Sequence, residues 1–462
     1  MANSYLYKNQ GTATNAKKFT YSVWLKRSAI DTSASQRFYQ GWQSSDNRFY
    51  AYFVEGADSN EDRLWIYAVT GGTVEVYWVS NRRFRDTNAW YHIVFSADST
   101  QASQGDRFKV YVNGVEETSW TKTNNPSQNI DWGNQLAQSS GDLTISGTES
   151  QTQLFEGYMS HVAFVDGQAL APTVFGETDS TSGIWKFKSP SGVTWGNTGY
   201  HLKMENSANL GLDSSGNTNN FTVGGNLKQA VDTPSNVYCT ANPLARYSGN
   251  LNYSNGNNTT TGSANNWTMG SSTMGASTGK WYYEYKLTTV GTGSGYFKLG
   301  FISDEAFATN TGHIAESALD GGYAFYCQNG NLEVRTDDAV ISGYSTSDLG
   351  VSFSMGDIMC LAVDMTNKRA YFRKNDDAWI KSANPVNGTN GLDISADYTA
   401  GKAMIPAVAI YYPGVASLNF GNGYFGTTAI SSAGSNGNGS LFEYDVPSGY
   451  YALNTKNINT YG

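Results

Sequence analysis

The sequence predicts an all-β protein with two sandwich domains, and three observations support that prediction. The chain has 462 residues, more than one hydrophobic core usually serves, so two or three domains are expected. It contains 50 Gly and 31 Tyr but only 15% charged residues, which suits many short strands joined by tight turns. Apolar and polar residues alternate along the chain, whereas no stretch of twelve or more residues has helical periodicity.

The clearest strand lies at residues 19–25. There, Phe19, Tyr21, Val23 and Leu25 alternate with other side chains, as in a half-buried antiparallel strand. The same alternation predicts further strands at 90–96, 107–112, 159–165 and 280–287. Strands that recur every eight to twelve residues favour sandwiches.

Two dipeptides predict tight hairpin turns. Asn113-Gly114 divides one apolar run from the next, and Asp166-Gly167 follows the strand at 159–165. Both dipeptides are typical of type I′ turns. Residues 169–175, which include a proline, favour one short helical turn.

Composition divides the chain into four parts. Residues 1–176 are rich in strands, and at 177–243 Asn, Ser, Gly and Asp replace most aromatic residues, which predicts an ordered connector. A second strand-rich block occupies 244–430. Residues 431–462 begin with a Gly/Ser/Asn run and are predicted to form a flexible segment and a C-terminal tail.

The charge balance excludes several partners. A formal charge of −9 and a pI near 5.0 provide no basic stripe for phosphates, so we expect no nucleic-acid partner. No run approaches the roughly 18 apolar residues of a membrane span, and no secretory leader is recognisable at the N-terminus. We therefore expect no membrane insertion and synthesis in a cytoplasm.

The first strand-rich block carries motifs of a known superfamily. Residues 19–27, 90–95, 108–114 and 155–167 resemble, in order, elements of the laminin-G/concanavalin-like jelly roll. The second block resembles a SPRY domain, a variation on the same two-sheet sandwich. Its matching segments are 279–285, 297–301, 356–364, 369–375, 406–408 and 417–421. The resemblances imply two jelly-roll/concanavalin-type β-sandwiches, which bind sugars or peptides and are not catalytic by default.

A further run of motifs points to a source. Residues 168–177, Trp185, 213–220 and 232–236 resemble structural proteins of marine tailed bacteriophages. This resemblance implies display on a virion, other virion proteins as partners and assembly as a homo-oligomer. A trimer would suit a tail fibre or spike, although no heptads or β-helix repeats indicate a subunit number.

Catalytic residues are not expected. Glycosidases of the concanavalin fold place paired carboxylates on one strand, but no Glu-x-Asp-x-x-Glu run occurs. In the nearest run, 55–61, Glu55 and Asp58 would fall on opposite faces of a strand, so we interpret it as a solvated acidic loop. The histidines have neither zinc-ligand nor triad spacing. They are His92, His161, His201 and His313.

Tryptophans near predicted turns are the candidate carbohydrate-binding residues, because sugar rings pack against aromatic faces. They are Trp42, Trp78 and Trp132; the alternative is that they belong to the core.

Calcium is the one cofactor left open, because lectin-like sandwiches can hold it with loop oxygens. The candidate ligands are Asp98, Asp106 and Asp142; the alternative is that these acids cap turns. Otherwise no cofactor is expected.

Together these observations predict a phage virion surface protein, such as a tail fibre, spike or related appendage, that binds host-surface glycans for attachment. The alternative is a structural decoration or connector protein of the head or tail without a soluble ligand. An enzyme that degrades capsular polysaccharide is disfavoured, since the carboxylate pair is missing.

Overall fold

The computed structural model describes residues 4–30, 34–54, 61–136, 142–247, 251–263, 265–290, 296–309, 312–316, 321–399, 401–411 and 413–462. The chain divides into two compact units, Met1–Gln229 and Ala230–Gly462. Each unit has its own hydrophobic core.

The first unit contains strands β1 (Tyr5–Asn9), β2 (Lys18–Arg27), β3 (Gln36–Ser44), β4 (Asn47–Phe53), β5 (Arg63–Thr70), β6 (Thr73–Arg83), β7 (Tyr91–Asp98), β8 (Phe108–Val112), β9 (Val115–Glu116), β10 (Trp120–Asn124), β11 (Asp142–Ile145), β12 (Gly157–Asp166), β13 (Gly176–Thr178), β14 (Trp185–Phe187), β15 (Tyr200–Leu202) and β16 (Thr222–Gly224).

Two antiparallel sheets form the sandwich of this unit. The larger sheet has the order β10-β6-β5-β4-β3-β11-β1-β16, and the other has the order β15-β12-β2-β7-β8-β9. Strands β13 and β14 form a separate pair. The core lies between the sheets, where Phe19 of β2 packs edge-on against Phe49 of β4 with ring centroids 6.1 Å apart.

The second unit contains strands β17 (Ala241–Tyr247), β18 (Leu251–Ser254), β19 (Thr259–Gly262), β20 (Thr268–Ser272), β21 (Lys280–Val290), β22 (Tyr296–Ser303), β23 (Tyr323–Gln328), β24 (Asn331–Thr336), β25 (Ala339–Val340), β26 (Ile358–Asp364), β27 (Arg369–Lys374), β28 (Leu392–Asp393), β29 (Met404–Tyr411), β30 (Gly414–Asn419), β31 (Tyr424–Phe425) and β32 (Thr428–Ala429).

This unit is also a sandwich. One sheet has the order β17-β20-β29-β22-β23-β24-β25 and the other has the order β18-β19-β30-β21-β26-β27-β28. Strands β31 and β32 form a separate pair. Phe325 of β23 and Phe372 of β27 meet edge to face at 5.0 Å between the sheets. The buried hydroxyl of Tyr285 on β21 donates to the carbonyls of Gly300 and Ala407 in the opposite sheet.

Helices are short in both units. They are α1 (Gly133–Leu136), α2 (Asp304–Thr309), α3 (Thr346–Leu349) and α4 (Thr455–Tyr461), with 3-10 turns at Gln104–Asp106, Pro172–Val174 and Ile380–Ser382. None of the helices in the described ranges is long and apolar enough to cross a bilayer.

The strands predicted from alternation are confirmed. They correspond to β2, β7, β8, β12 and β21, with ends that differ by a few residues. The predicted turn at Asn113-Gly114 is also confirmed, because it joins β8 to β9 and both residues have positive φ, 49° and 80°. The predicted helical turn is the 3-10 turn at Pro172–Val174.

The predicted hairpin at Asp166-Gly167 is wrong. Strand β12 ends there and does not pair with the strand that follows it. The reason is the Asp166 carboxylate, which accepts the backbone N–H groups of Thr14 at 2.7 Å and Thr198 at 3.2 Å. These hydrogen bonds tie β12 to distant segments instead of closing a two-residue turn.

The unit boundary differs from the predicted domain boundaries of 1–176, 177–243 and 244–430. The first unit extends to Gln229, so most of the segment predicted as a connector lies within it. In that segment, β15 pairs with β12 and β16 pairs with β1. The physical reason is that two of its aromatic residues, Tyr200 and Phe221, are buried in the core of the first unit; Tyr200 has no exposed surface.

The C-terminal part also differs from the prediction. Residues 431–462 were expected to form a flexible segment and tail, yet Phe442, Val446 and Tyr450 are buried in a cluster with Tyr282 and other residues of the second unit. Helix α4 follows, with Asn454 as its N-cap. The prediction differs because it was based on the Gly/Ser/Asn run, whereas these three apolar residues determine the packing.

Candidate functional site

The candidate site begins with alternation in β4. Phe49, Ala51 and Phe53 point into the core, so Tyr50 and Tyr52 must project from the opposite face of the sheet. Both tyrosines remain half-buried rather than covered.

The antiparallel register extends this outer face across four strands. Tyr50 lies opposite Tyr67 of β5, and Tyr67 lies opposite Tyr77 of β6. Tyr52 lies opposite Trp65, while Trp42 of β3 lies beside Tyr50. Six half-buried rings thus share one face, which we call the aromatic platform. Its members are Trp42, Tyr50, Tyr52, Trp65, Tyr67 and Tyr77.

The rings form a continuous surface. Trp42 and Tyr50 are nearly parallel with centroids 6.3 Å apart, and Tyr50 and Tyr67 are 6.1 Å apart. Tyr77 meets Tyr67 edge-on at 5.8 Å. A second row begins with Tyr52 and Trp65 at 5.6 Å. Trp65 meets Tyr77 edge-on at 5.0 Å and links the two rows, so each of the six rings contacts at least one other.

Two arginines accompany the rings. The guanidinium carbon of Arg37 lies 3.9 Å from the ring centroid of Tyr50, and that of Arg48 lies 5.5 Å from the centroid of Tyr67. Both distances are in the cation–π range. Burial raises the pKa of Tyr50, opposed by the positive charges of Arg37 and Arg48. The Tyr50 hydroxyl therefore stays protonated and can donate or accept hydrogen bonds.

Amide and carboxylate groups hold Arg37 in place. Its guanidinium donates to the side-chain oxygens of Gln40 and, at 2.8 Å, Gln153. The Gln40 amide in turn donates to the Glu149 carboxylate at 2.5 Å. Burial lowers the pKa of Arg37, opposed by the neighbouring tyrosines and Glu149. These hydrogen bonds therefore fix Arg37 in position beside Tyr50.

The three tryptophans predicted for carbohydrate binding are not brought together. Trp42 belongs to the platform, whereas Trp78 and Trp132 are 4% and 1% exposed and pack in the core. The Trp78 ring meets Phe108 edge-on at 5.2 Å, and its indole N–H donates to the Asn124 carbonyl. Both core tryptophans are therefore unavailable to a ligand in this fold.

Sequence reasoning missed five platform residues, although the signal was present. Tyr50 and Tyr52 stand two positions apart in 47–53, and Trp65 and Tyr67 stand two positions apart in 63–70. That parity predicts a shared face. The parity alone does not say whether the face is inside or outside.

The three candidate calcium ligands occupy separate environments. Although burial opposes it, hydrogen bonds from Thr100, Gln101 and Lys18 lower the pKa of Asp98 to about 2. Asp106 is paired with Lys109 at 2.9 Å. Asp142 is exposed at the start of β11.

In the described parts of the chain, no three His, Cys, Asp or Glu side chains gather in a way that would hold a metal ion. Residues Glu55 and Asp58 of the acidic run lie outside the described residues.

The histidines of the first unit are packed as structural groups. His92 is fully buried and stacks on Trp24 at 4.5 Å, and its Nδ1 accepts the indole N–H of Trp185 at 2.9 Å. Burial lowers the pKa of His92 to about 3. The Nδ1 atom of His161 lies 3.4 Å from Nε2 of His201. Burial lowers the pKa of His161 to about 3 and that of His201 to about 4. All three are neutral near pH 7.

Comparisons with known proteins support this architecture. Residues 2–174 match the family model Laminin_G_3, described as the concanavalin A-like lectin/glucanases superfamily. Within this matched region the fold is of the concanavalin-like, laminin-G type. No curated protein sequence matches the chain.

Several solved structures are similar to the chain. The SPRY domain of human HERC1 is 17% identical, with a TM-score of 0.27, and the match covers 38% of this chain and 96% of that one. The heptameric SAP-like pentraxin of Limulus polyphemus is 15% identical, with a TM-score of 0.29 and coverage of 48% and 88%. The LG1-3 region of the laminin alpha2 chain is 11% identical, with a TM-score of 0.32 and coverage of 90% and 60%.

Proposed function

We propose that this protein binds glycans through the aromatic platform. The observation that carries the proposal is the presence of six half-buried aromatic rings on one face of a single sheet. Tyrosine and tryptophan offer apolar faces to sugar rings, while their hydroxyl and indole groups can bond to sugar hydroxyls. Because β4 and β5 are sheet strands, the rings are held in place before a ligand arrives.

The biological setting that fits this activity is attachment of a phage particle to host-surface glycans. The run of motifs from 168 to 236 resembles virion proteins and motivates this part of the proposal. In that setting the chain acts without catalysis, as a homo-oligomer among other virion proteins. The SPRY-like character of residues 244–430 belongs to the same proposal.

A second candidate is a decoration or connector role, in which the platform contacts another virion protein. Tyrosine, tryptophan and arginine are enriched at the centres of protein interfaces. The platform supplies the first two, and Arg37 and Arg48 lie beside its rings. In that case the platform would be covered in the assembled particle and would not meet a soluble glycan.

One experiment separates the two candidates. Fluorescently labelled full-length protein is applied to a panel of marine bacterial strains, with and without periodate oxidation of their surface sugars. We expect binding to some strains and its loss after periodate treatment. The matched variants are Tyr67→Ala, on the platform, and Tyr461→Ala, an exposed tyrosine of the second unit. Only Tyr67→Ala should weaken binding.

Absence of binding to every strain by folded protein would favour the decoration role. Binding that resists periodate or is unaffected by Tyr67→Ala would contradict glycan recognition by the platform.

A further inference from the structure

Arg48 occupies a special position on the platform. Its guanidinium carbon lies 5.9 Å from the ring centroids of both Trp42 and Tyr50 and 5.5 Å from that of Tyr67. Arg48 itself is half-buried at the start of β4, on the same face as the rings. A ligand stacked on these three rings would therefore lie within reach of this positive charge.

The hydrogen-bonding state of Arg48 differs from that of Arg37. One terminal N–H group of Arg48 donates to the Ser45 carbonyl. Among the described residues, the arginines of the first unit that form ion pairs with carboxylates are Arg27, Arg82 and Arg85, and Arg48 is not one of them. A guanidinium has five N–H donors in a fixed fork. Arg48 is half-buried and has one such bond, so it keeps donors for an incoming group, whereas Arg37 is buried and bonded to both Gln40 and Gln153.

Other arginines of the first unit show the contrast. Arg27 is paired with Asp62 at 2.9 Å, and Arg82 is paired with Glu117 at 2.7 Å. Arg48 is therefore a cation whose neighbours are aromatic rings rather than an acid. The carboxylate of Glu149, whose charge acts on Tyr50, accepts a hydrogen bond from Gln40 beside Arg37.

The net charge of the chain determines how an anionic ligand could be bound near Arg48. With a formal charge of −9, the protein as a whole repels polyanions. Binding of an anionic polymer therefore requires a local contact and would not arise from general electrostatic attraction. Arginine forms paired, charge-assisted hydrogen bonds with carboxylate, sulfate and phosphate oxygens, and these bonds are stronger than those to the uncharged hydroxyls of a neutral sugar.

We propose that the platform selects an anionic polysaccharide, with sugar rings stacked on Trp42, Tyr50 and Tyr67 and an acidic substituent bonded to Arg48. The proposal rests on the proposed glycan-binding function and names its substrate class. The shared chemistry is an anionic oxygen group on a sugar, supplied either by a uronic acid or by a sulfate ester.

The test uses three polymers and the full-length protein. Binding of polygalacturonate, dextran sulfate and neutral dextran is measured by titration calorimetry for the wild type, Arg48→Gln and Arg48→Lys. We expect at least one anionic polymer to bind more tightly than dextran, and Arg48→Gln to weaken that binding about tenfold. Arg48→Lys should fall between the two, because lysine keeps the charge but not the paired donors.

A matched control is Lys109→Gln, which removes one positive charge from β8 in the other sheet. It should leave the affinity for the anionic polymer unchanged. Circular dichroism and thermal melts check that each variant is folded. A preference for polygalacturonate over dextran sulfate would identify a uronic acid, the reverse would identify a sulfate ester, and equal binding would support the shared chemistry.

Three results would overturn the inference: equal affinity of Arg48→Gln and wild type for the anionic polymer, tighter binding of dextran, or no binding of any polymer. The proposed function is tested separately by the periodate assay. Dextran binding that Tyr67→Ala abolishes would leave glycan recognition standing while removing the preference for anions.

Discussion

Two outer sheet faces, one in each unit, differ in what covers them. In the second unit, Tyr282 of β21 and Tyr371 of β27 lie on an outer face that the C-terminal cover, residues 442–450, buries completely. In the first unit, the platform rings on β3 to β6 remain half-buried. Aromatic residues on an outer face therefore have two uses in this protein: they anchor a covering segment, or they stay available to a ligand.

A buried carboxylate fixes the C-terminal cover. Glu284 of β21 accepts the backbone N–H groups of Glu443 and Tyr444, both at 3.0 Å, and the Tyr282 hydroxyl. Burial raises the pKa of Glu284 to about 7, opposed by these hydrogen bonds. The cover is thus held by directed polar bonds as well as by apolar packing.

The other sheet of the first unit is also covered. Phe175 and Trp195, which follow β12 in sequence, pack over Ala163 and Val165 of that strand. Trp185 reaches the outer side of β7 and bonds to His92. The open platform therefore contrasts with one covered sheet in each unit, and this contrast supports a role in binding. A smaller half-buried aromatic group, Trp267, Tyr296 and Tyr411, lies on the outer face of the remaining sheet of the second unit.

The largest effect is expected from removing an anchor of the C-terminal cover. Phe442 is 1% exposed and meets Tyr282 edge-on at 4.9 Å, so Phe442→Ala should cost about 3–5 kcal/mol of stability. Tyr67→Ala on the platform should cost only about 1 kcal/mol, because its ring is already partly in water. Urea denaturation of both variants measures the difference. Equal losses would mean that the platform is structural too.

A smaller loss of stability is expected when the pH is lowered. The pKa of His92 in the folded state, about 3, is below its ordinary value near 6.5, so the unfolded chain binds a proton first as pH falls. This contribution to stability is complete above about pH 6.5 and declines by about 3 kcal/mol by pH 4.5. His161 and His201 act in the same direction.

The check is urea unfolding at pH 7 and pH 4.5 for the wild type and His92→Gln. The glutamine variant should have a smaller difference between the two pH values, since one titrating group is gone. An unchanged difference would show that His92 is not the buried neutral group described above.

The sequence predicts the positions of the strands better than it predicts which of their aromatic side chains face outward. Alternation located β2 and β21 because each has one strongly apolar face. It could not tell Trp42 from Trp78, because both lie in alternating strands and only pairing decides which parity faces the core. Trp78 lies opposite Ile66, a core residue, whereas Trp42 lies opposite Arg48.

Long-range packing explains the other differences. Residues 177–229 and 431–462 are poor in apolar side chains, and local composition predicted a connector and a flexible tail. A few residues far apart in sequence, such as Tyr200 and Phe442, are nevertheless fully or almost fully buried. The residues that bury them lie far away in the sequence, so the composition of the surrounding segment does not predict the contact.

The most direct test of the central claim measures glycan affinity with the platform altered. Surface polysaccharide extracted from a strain that the protein binds is titrated into the wild type, Trp42→Ala/Tyr67→Ala and the control Tyr461→Ala. Loss of two stacking rings should weaken binding at least about tenfold, while the control retains wild-type affinity. Unchanged affinity of a folded platform variant would contradict the claim that this open aromatic face is the binding site.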